Sequence, residues 1–282
     1  MYPAYTVVLG LLAPIASAEV HAFCGTSTSS TALDLVSKKL QSQAVIAGVA
    51  KELVTIDTYV HVLADSDKVE DGYIGDDIVQ REIDTLNKAY NEHFFSFRLV
   101  DTDRTINSSW AHPGGTPVRP PSELDMKTAL HKGSYGDLNL YFVAGMVPLG
   151  KGEYPQPNPT NEMIIMDGCI LQPMAQGSSN PTYEQIPIHE VGHWLGLWHT
   201  FDNGCNEPGD YVDDTPNEAE PVEFMGGCPE PGRDTCPDLP GLDPVDNYMT
   251  YINQTCGPLR FTPGQAERMH SLWQELRAPY KK

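Results

Sequence analysis

Residues 189–199 read HEVGHWLGLWH, and this short segment constrains the architecture of the chain more than any other. On an α-helix His189 and His193 are four residues apart, so their imidazoles project from the same face. His199 follows six residues after His193, which is too far along a straight helix to reach a shared ion. Gly196 can adopt a left-handed conformation that ends the helix and turns the chain back. The spacing therefore predicts a single zinc site with three histidine ligands.

Glu190 directly follows the first of these histidines. A catalytic zinc site keeps three protein ligands and one open position for water. A carboxylate beside that position can take a proton from the water and pass it to a leaving amine. We therefore predict that Glu190 is the general base of a zinc-dependent hydrolase. The competing interpretation is a catalytically inert, secreted zinc-binding or adhesion module, which would not need a glutamate here.

Two further segments, together with the histidine motif, carry a family resemblance. They are residues 246–251 (DNYMTY) and residues 209–216 (GDYVDDTP). The chain resembles the metzincin metalloproteases, and within them the pappalysin group with its secreted fungal and bacterial members. The resemblance implies that Met249 forms a hydrophobic floor beneath the histidines. It also implies that Tyr251 approaches the metal or the reacting carbonyl group. The activity it implies is that of a zinc metalloendopeptidase.

The periodicity of apolar residues predicts the order of the main elements. Alternation predicts strands near residues 54–62, 95–99 and 138–143, and a short apolar run predicts another at 163–166. Helical spacing predicts helices near 79–90, 122–133 and 184–195. Thr262, Pro263 and Gln265 begin a last helix with a capping box.

This order indicates an α/β (α+β) fold of the metzincin type. A mixed sheet and the active-site helix would form an upper subdomain that ends at about residue 196. Residues 197–282 would form an irregular lower subdomain, stapled by disulfides and closed by a C-terminal helix. In metzincins an edge strand of the upper sheet pairs with the extended substrate. The strand at 138–143 and the loop that leads to Tyr154 are the candidates for that edge.

The N-terminal sequence predicts secretion. Residues 6–15 are apolar and are followed by Ala16-Ser17-Ala18, a typical cleavage site, so residues 1–18 are interpreted as a signal peptide. Residues 19–50 are interpreted as a short pro-segment and residues 51–282 as the catalytic domain. Secretion permits disulfides, and the chain has six cysteines.

Four of the cysteines follow the zinc motif, and sequence alone allows three pairings among them. The resemblance implies the pairs Cys205–Cys236 and Cys228–Cys256. It also implies that Cys24 is a cysteine switch, in which a pro-segment thiolate occupies the fourth position on the zinc. A disulfide between Cys24 and Cys169 is the alternative.

An acidic run extends from residue 200 to residue 246, with thirteen acidic residues against one basic residue. Such a run is usually a solvated face, but its oxygen atoms also suit Ca²⁺. The resemblance places the calcium-binding stretch at Asp210, Asp213, Asp214 and Thr215.

The formal net charge of −20 argues against nucleic acid and anionic membranes as partners. We expect an extracellular monomer that acts on proteins or peptides. Asn107 and Asn253 each begin an N-glycosylation sequon. The stretch at residues 252–255 contains no acidic residue, so a preference for basic substrates should not be carried over from the family.

Overall fold

The computed structural model describes residues 23–27, 30–43, 52–111, 121–146, 148–173, 181–222 and 227–282. The expected signal peptide lies outside the described residues, as does much of the expected pro-segment. Within the described part of the chain, no helix is both long and apolar enough to cross a membrane.

The described residues form one mixed sheet with helices packed against it. The strands are β1 (Val54–Ala64), β2 (Phe95–Ile106), β3 (Leu138–Val143), β4 (Gly150–Gly152) and β5 (Cys169–Leu171). The helices are α1 (Thr31–Gln43), α2 (Asp76–Tyr90), α3 (Ser108–Ala111), α4 (Pro121–Leu130), α5 (Asn161–Ile165), α6 (Pro181–Trp194) and α7 (Pro263–Leu272). A π-helical turn, Trp273–Arg277, extends α7.

The strand order in the sheet is β2-β1-β3-β5-β4. All neighbouring strands are parallel except β4, which runs antiparallel to β5 at one edge. Parallel strands need long crossover connections, and α2 supplies the one between β1 and β2. This architecture confirms the predicted α/β fold with a mixed sheet.

Apart from the strand expected at 163–166, the predicted strands and helices of the upper part are present, and their apolar faces form the core. Ile56, Val60 and Val62 of β1 are fully buried, because alternate residues of a strand point to the same side. The apolar face of α2, with Ile83 and Leu86, packs in the same cluster. The sheet and α2 thus form a rigid support for α6.

One prediction about the sheet is wrong, and of the two candidates for the substrate-binding edge only the loop that leads to Tyr154 contains an edge strand. Residues 163–166 belong to α5 and its C-cap rather than to a strand, because Thr160 caps a helix there by accepting a hydrogen bond from the Met163 amide. The strand that follows is β5, a few residues later. Residues 138–143 form β3, which lies inside the sheet between β1 and β5. The edge strands are β2 and β4, and β4 lies within the loop that leads to Tyr154.

The part of the chain between α6 and α7 is built mostly from turns. Disulfides join Cys205 to Cys236 and Cys228 to Cys256, the same two pairs that the resemblance implies. The predicted capping box begins α7, with Thr262 bound to the Gln265 amide. Because this region has little regular structure, the covalent links restrict it where backbone hydrogen bonds do not.

Helix α1 was not predicted, and neither was the short helix α3. Helix α1 lies in the expected pro-segment and packs on α7 through Leu33, which is fully buried. Arg268 of α7 donates a hydrogen bond to the Ser37 hydroxyl at 2.9 Å. The N-terminal segment is therefore folded onto the body of the protein.

Candidate metal centre

Helix α6 and the turn after it bring the three histidines of the motif together. His189 and His193 lie on one face of α6, which ends at Trp194. Gly196 has φ +96°, in the left-handed region, and Leu197 donates a hydrogen bond to the Gly192 carbonyl. The chain therefore turns back as the spacing predicts, and His199 faces the other two imidazoles.

The Nε2 atom of His193 lies 3.1 Å from the Nε2 atoms of both His189 and His199. The Nδ1 atoms of His189 and His193 face the carbonyl oxygens of Tyr248 and Leu197, at 2.7 and 2.8 Å. Carbonyl oxygens only accept hydrogen bonds, so each of these two Nδ1 atoms carries the proton and each Nε2 is left as a lone pair. Lone pairs that converge this closely repel one another unless a cation lies between them.

The spacing of these nitrogens fits zinc. Zinc–nitrogen bonds of about 2.05 Å at a tetrahedral angle place two ligand nitrogens about 3.3 Å apart. Burial lowers the pKa of His189 and of His193 well below the usual range, so both imidazoles are neutral, as metal ligands must be. The Nδ1 atom of His199 lies 3.4 Å from the Asp202 carboxylate, an orienting partner that sequence reasoning missed.

The turn at residues 247–251 packs against the histidine cluster. Met249 is fully buried, and a Cβ on Gly192 would lie only 2.6 Å from its sulfur. The Tyr248 carbonyl in the same turn accepts the hydrogen bond from His189. Tyr251 lies beside the centre, with its ring centroid 5.8 Å from that of His189. The predicted Met249 floor and Tyr251 neighbour are therefore both at the histidine cluster.

Glu190 is fully buried beside β4. A Cβ on Gly150 would lie 2.7 Å from its Oε1, and a Cβ on Gly152 would lie 2.4 Å from its carbonyl oxygen. Only glycine permits this approach of β4 to α6, a requirement that the sequence alone did not reveal. Burial raises the pKa of Glu190 to about 8. A carboxyl group with such a pKa can both accept and release a proton near neutral pH.

Residues of the N-terminal segment cover the centre. The ligand atoms of Cys24 and the three histidines all lie within 4.8 Å of one another. Thr26 donates a hydrogen bond from its hydroxyl to Glu190 Oε2 at 2.9 Å. Cys24 and Cys169 are both free thiols, and Cys169 is buried in β5. The structure thus contains the arrangement expected for a switch and lacks the alternative disulfide between these two residues.

The residues predicted to bind calcium do not all meet. Asp210, Asp213 and Thr215 line a cavity of about 160 Å³ together with Glu207. Asp214 instead accepts hydrogen bonds from Thr262 and Gly264 at the start of α7. The structure therefore separates one of the four predicted ligands from the other three and adds Glu207.

Each glycosylation sequon begins directly before a short helical segment, α3 after Asn107 and a 3-10 turn (Gln254–Cys256) after Asn253. Asn107 Oδ1 accepts hydrogen bonds from Ser109, and Asn253 Oδ1 accepts one from the Thr255 amide. Both asparagines are partly exposed.

Comparisons with known proteins agree with this geometry. The profile of the Peptidase_M43 family, described as pregnancy-associated plasma protein-A, matches residues 156–274. An extracellular metalloprotease of Colletotrichum graminicola is 41% identical over 286 residues, which cover 98% of this chain and 99% of that protein. An extracellular metalloprotease of Pyricularia oryzae is 44% identical over 230 residues, covering 80% and 77% of the two chains.

Solved structures share the fold. A mutant of promirolysin from Tannerella forsythia superimposes with a TM-score of 0.67 at 22% identity, covering 89% of this chain and 94% of that one. Mature mirolysin in complex with a cleaved peptide gives a TM-score of 0.62 at 22% identity, covering 81% and 97%.

Proposed function

Because this chain belongs to the M43 (pappalysin) family of metallopeptidases, we propose that it is a secreted zinc endopeptidase that works through the histidine centre. The observation that carries the proposal is the convergence of three imidazole nitrogens beside a buried carboxyl group. His189, His193 and His199 would hold the ion. Zinc at this position supplies Lewis-acid chemistry, which acidifies water and polarises the scissile carbonyl.

The chain's own groups perform the proton transfers. Glu190 accepts the proton of the attacking water and returns it to the leaving amine. Tyr251 is placed to donate a hydrogen bond from its hydroxyl to the oxygen on which negative charge develops. Edge strand β4 presents backbone groups to an extended peptide, so binding tolerates many substrate sequences.

The proposal is tested with purified enzyme and a denatured protein substrate. Glu190→Gln should retain zinc and the fold yet lose at least about 100-fold in activity, because an amide cannot accept the proton. Glu184→Gln, on the first turn of the same helix, is the matched control and should remain active. Wild-type enzyme that binds zinc but hydrolyses no peptide would instead indicate an inert zinc-binding module.

We further propose that Cys24 keeps the precursor latent by occupying the fourth position on the ion. Burial raises the pKa of the Cys24 thiol well above its usual range, and a metal ion would offset this by stabilising the thiolate. Cys24→Ala should therefore make the precursor active or speed its processing. Thiol counting on the denatured precursor should find two free thiols, and a count of none would indicate the Cys24–Cys169 disulfide.

We propose a calcium site in the cavity lined by Asp210, Asp213, Thr215 and Glu207. Burial raises the pKa of Asp210 to about 7, and a bound cation would offset the cost of its charge. Calcium should raise the thermal midpoint of the wild-type enzyme but not that of Asp210→Asn. Asp214→Asn should keep the calcium response, because Asp214 caps α7 instead. A calcium-independent midpoint in the wild type would support the solvated-face interpretation.

The remaining proposals concern the processing of the secreted chain and its division into subdomains. We propose that residues 1–18 are the signal peptide, that residues 19–50 are removed on activation, and that Asn107 and Asn253 carry glycans. Subdomains divided near residue 196 would form the two walls of the substrate cleft.

A further inference from the structure

Four consecutive residues of the N-terminal segment lie along the histidine centre. Cys24 forms a parallel bridge with Gly150 of β4, and the Gly25 amide donates to the Gly150 carbonyl at 2.8 Å. The Thr26 hydroxyl accepts a hydrogen bond from the Gly152 amide at 2.9 Å. The segment thus uses the backbone groups of the edge strand that an extended peptide would use.

The same segment also occupies the reactive groups. Cys24 Sγ stands where the histidine nitrogens converge, and Thr26 engages the carboxylate of Glu190. One short peptide therefore occupies the backbone groups of β4, the metal position and the general base Glu190. A substrate must displace this segment and lie in the same place.

Phe23 directly precedes Cys24, whose sulfur stands at the metal position. Phe23 is almost completely buried, with 3% of its surface exposed. Its ring meets the His189 ring edge-to-face, with centroids 4.9 Å apart. It meets the Tyr251 ring at 4.9 Å with a tilt of 44°. Both separations lie in the range that aromatic pairs favour, and the contact with His189 also has the favoured edge-to-face angle. Phe23 therefore fills a fitted pocket that a substrate side chain can enter once the segment leaves.

The chemistry of this pocket is apolar. The two walls that the geometry identifies are aromatic rings, and Phe23 belongs to the main hydrophobic cluster. The chain that follows Tyr251, residues 252–255, carries no acidic side chain. A lysine or arginine side chain would lose its hydration against these two rings, which offer it no carboxylate.

We propose that the pocket occupied by Phe23 is the specificity pocket of the mature enzyme, and that it selects an aromatic or large aliphatic side chain at one of the two positions flanking the scissile bond. The proposal rests on the proposed peptidase function and names its substrate class. Phe23 itself is the prototype of the side chain that this pocket accepts.

The first test measures cleavage preference. The full chain is folded with a protease site inserted at residues 44–50, cut there, and used to digest a proteome-derived peptide library that is read by mass spectrometry. Phe, Tyr, Leu or Met should be enriched at one flanking position, the one whose side chain takes the place of Phe23. Enrichment of Lys or Arg at the flanking positions, or a flat distribution at both, would overturn the proposal.

The second test measures binding and does not depend on turnover. Synthetic peptides of residues 20–30 are titrated against the cut protein after the N-terminal fragment has been washed away. Phe23→Arg should weaken binding about 10- to 100-fold, the range expected for losing a buried phenyl group. Phe23→Leu should bind within a few-fold of the natural peptide. Ser27→Arg, which adds the same charge at an exposed residue, should change little.

The two tests distinguish a failure of the proposed peptidase function from a failure of the pocket assignment. A protein that binds the peptides in this order but cleaves nothing would contradict the peptidase function and leave the pocket assignment intact. A protein that cleaves peptides while binding Phe23→Arg as well as the natural peptide would contradict the pocket assignment alone.

Discussion

At the scale of single residues, the site depends on where protons and lone pairs lie. The carbonyls of Tyr248 and Leu197 hold the protons of His189 and His193 on Nδ1, which frees Nε2 for a metal ion. Both carbonyls belong to the backbone, so no pattern of side chains in the sequence indicates that they orient the ligands. The orienting partners of the ligands are therefore a property of the fold, whereas the ligands are visible in the sequence.

The hydroxyl of Tyr251 should matter for the rate more than for binding. The Tyr251 ring lies beside the metal position, with its centroid 5.1 Å from that of His199 and 5.8 Å from that of His189. Tyr251→Phe removes one donor to the developing oxyanion, so kcat should fall about 10- to 100-fold while KM changes little. Steady-state kinetics on a peptide substrate give this comparison.

Tyr280→Phe is the control, because Tyr280 packs against Tyr135 in the C-terminal segment. An unchanged kcat in Tyr251→Phe would remove Tyr251 from the reaction. A large rise in KM with constant kcat would instead assign it to substrate binding.

At the scale of elements, the contact between β4 and α6 sets the distance from the edge strand to the base. This contact requires glycine at 152, since a Cβ there would lie 2.4 Å from the Glu190 carbonyl oxygen, an atom that cannot move without distorting α6. Gly152→Ala should therefore lower both activity and stability, the latter by about 1–3 kcal/mol, as for other overpacked sites. Urea unfolding and peptidase assays on the same preparation measure the two effects.

Gly75→Ala serves as the comparison for this substitution. A Cβ at Gly75 would meet the Asp77 carboxylate, the end of a side chain that can rotate away. It should cost much less than Gly152→Ala. Equal losses at the two positions would show that the approach of β4 to α6 is not specially constrained.

The sequence predicted the elements that have a strong period. Residues 54–62 became β1 because their apolar positions share one parity, and α6 and α7 were found from their ligand spacing and capping box. It failed at 163–166, since a four-residue apolar run has no period that separates helix from strand. It named the loop that leads to Tyr154 as one candidate for the edge but did not predict a strand there, because β4 has only three residues and two are glycines.

The residues of the site also divide into those that the sequence predicted and those that it did not. The three histidines, Glu190, Met249 and Tyr251 were all visible as motif positions and lie together. Thr26 and the glycines of β4 were missed, because they act through contacts with residues far away in sequence or through the absence of a side chain. Asp202 was missed although it lies only three residues after His199. Nothing in the local pattern of residues 31–43 predicted that α1 would pack on α7.

At the scale of the whole molecule, stability should fall as the pH rises from about 4.5 to about 8. Glu82 on α2 is buried with one carboxylate oxygen unpaired, and burial raises its pKa from 4.5 to about 8. A raised pKa means that the folded state binds the proton more tightly than the unfolded state does. Its contribution is complete below pH 4.5 and is lost as the pH rises through about 8, while the net charge of −20 adds self-repulsion.

Glu82→Gln should remove part of this pH dependence, because the amide does not ionise. The free energy of unfolding of the variant relative to the wild type should rise by up to about 1.4 kcal/mol per pH unit between pH 5 and pH 8. Glu267→Gln, at an exposed position on α7, should show no such trend. A difference between Glu82→Gln and the wild type that is constant with pH would mean that Glu82 is not buried as a neutral acid.

The central claim, that one zinc ion on three histidines carries the activity, is tested most directly by titrating metal-stripped enzyme with zinc. The enzyme is folded with its N-terminal segment, cut at 44–50, stripped with 1,10-phenanthroline and assayed as zinc is added back. Activity should be absent at the start, rise linearly, and reach a plateau at one zinc per chain, and His199→Ala should not recover at that ratio. Full activity in the stripped enzyme, or a plateau reached equally by His199→Ala, would contradict the account.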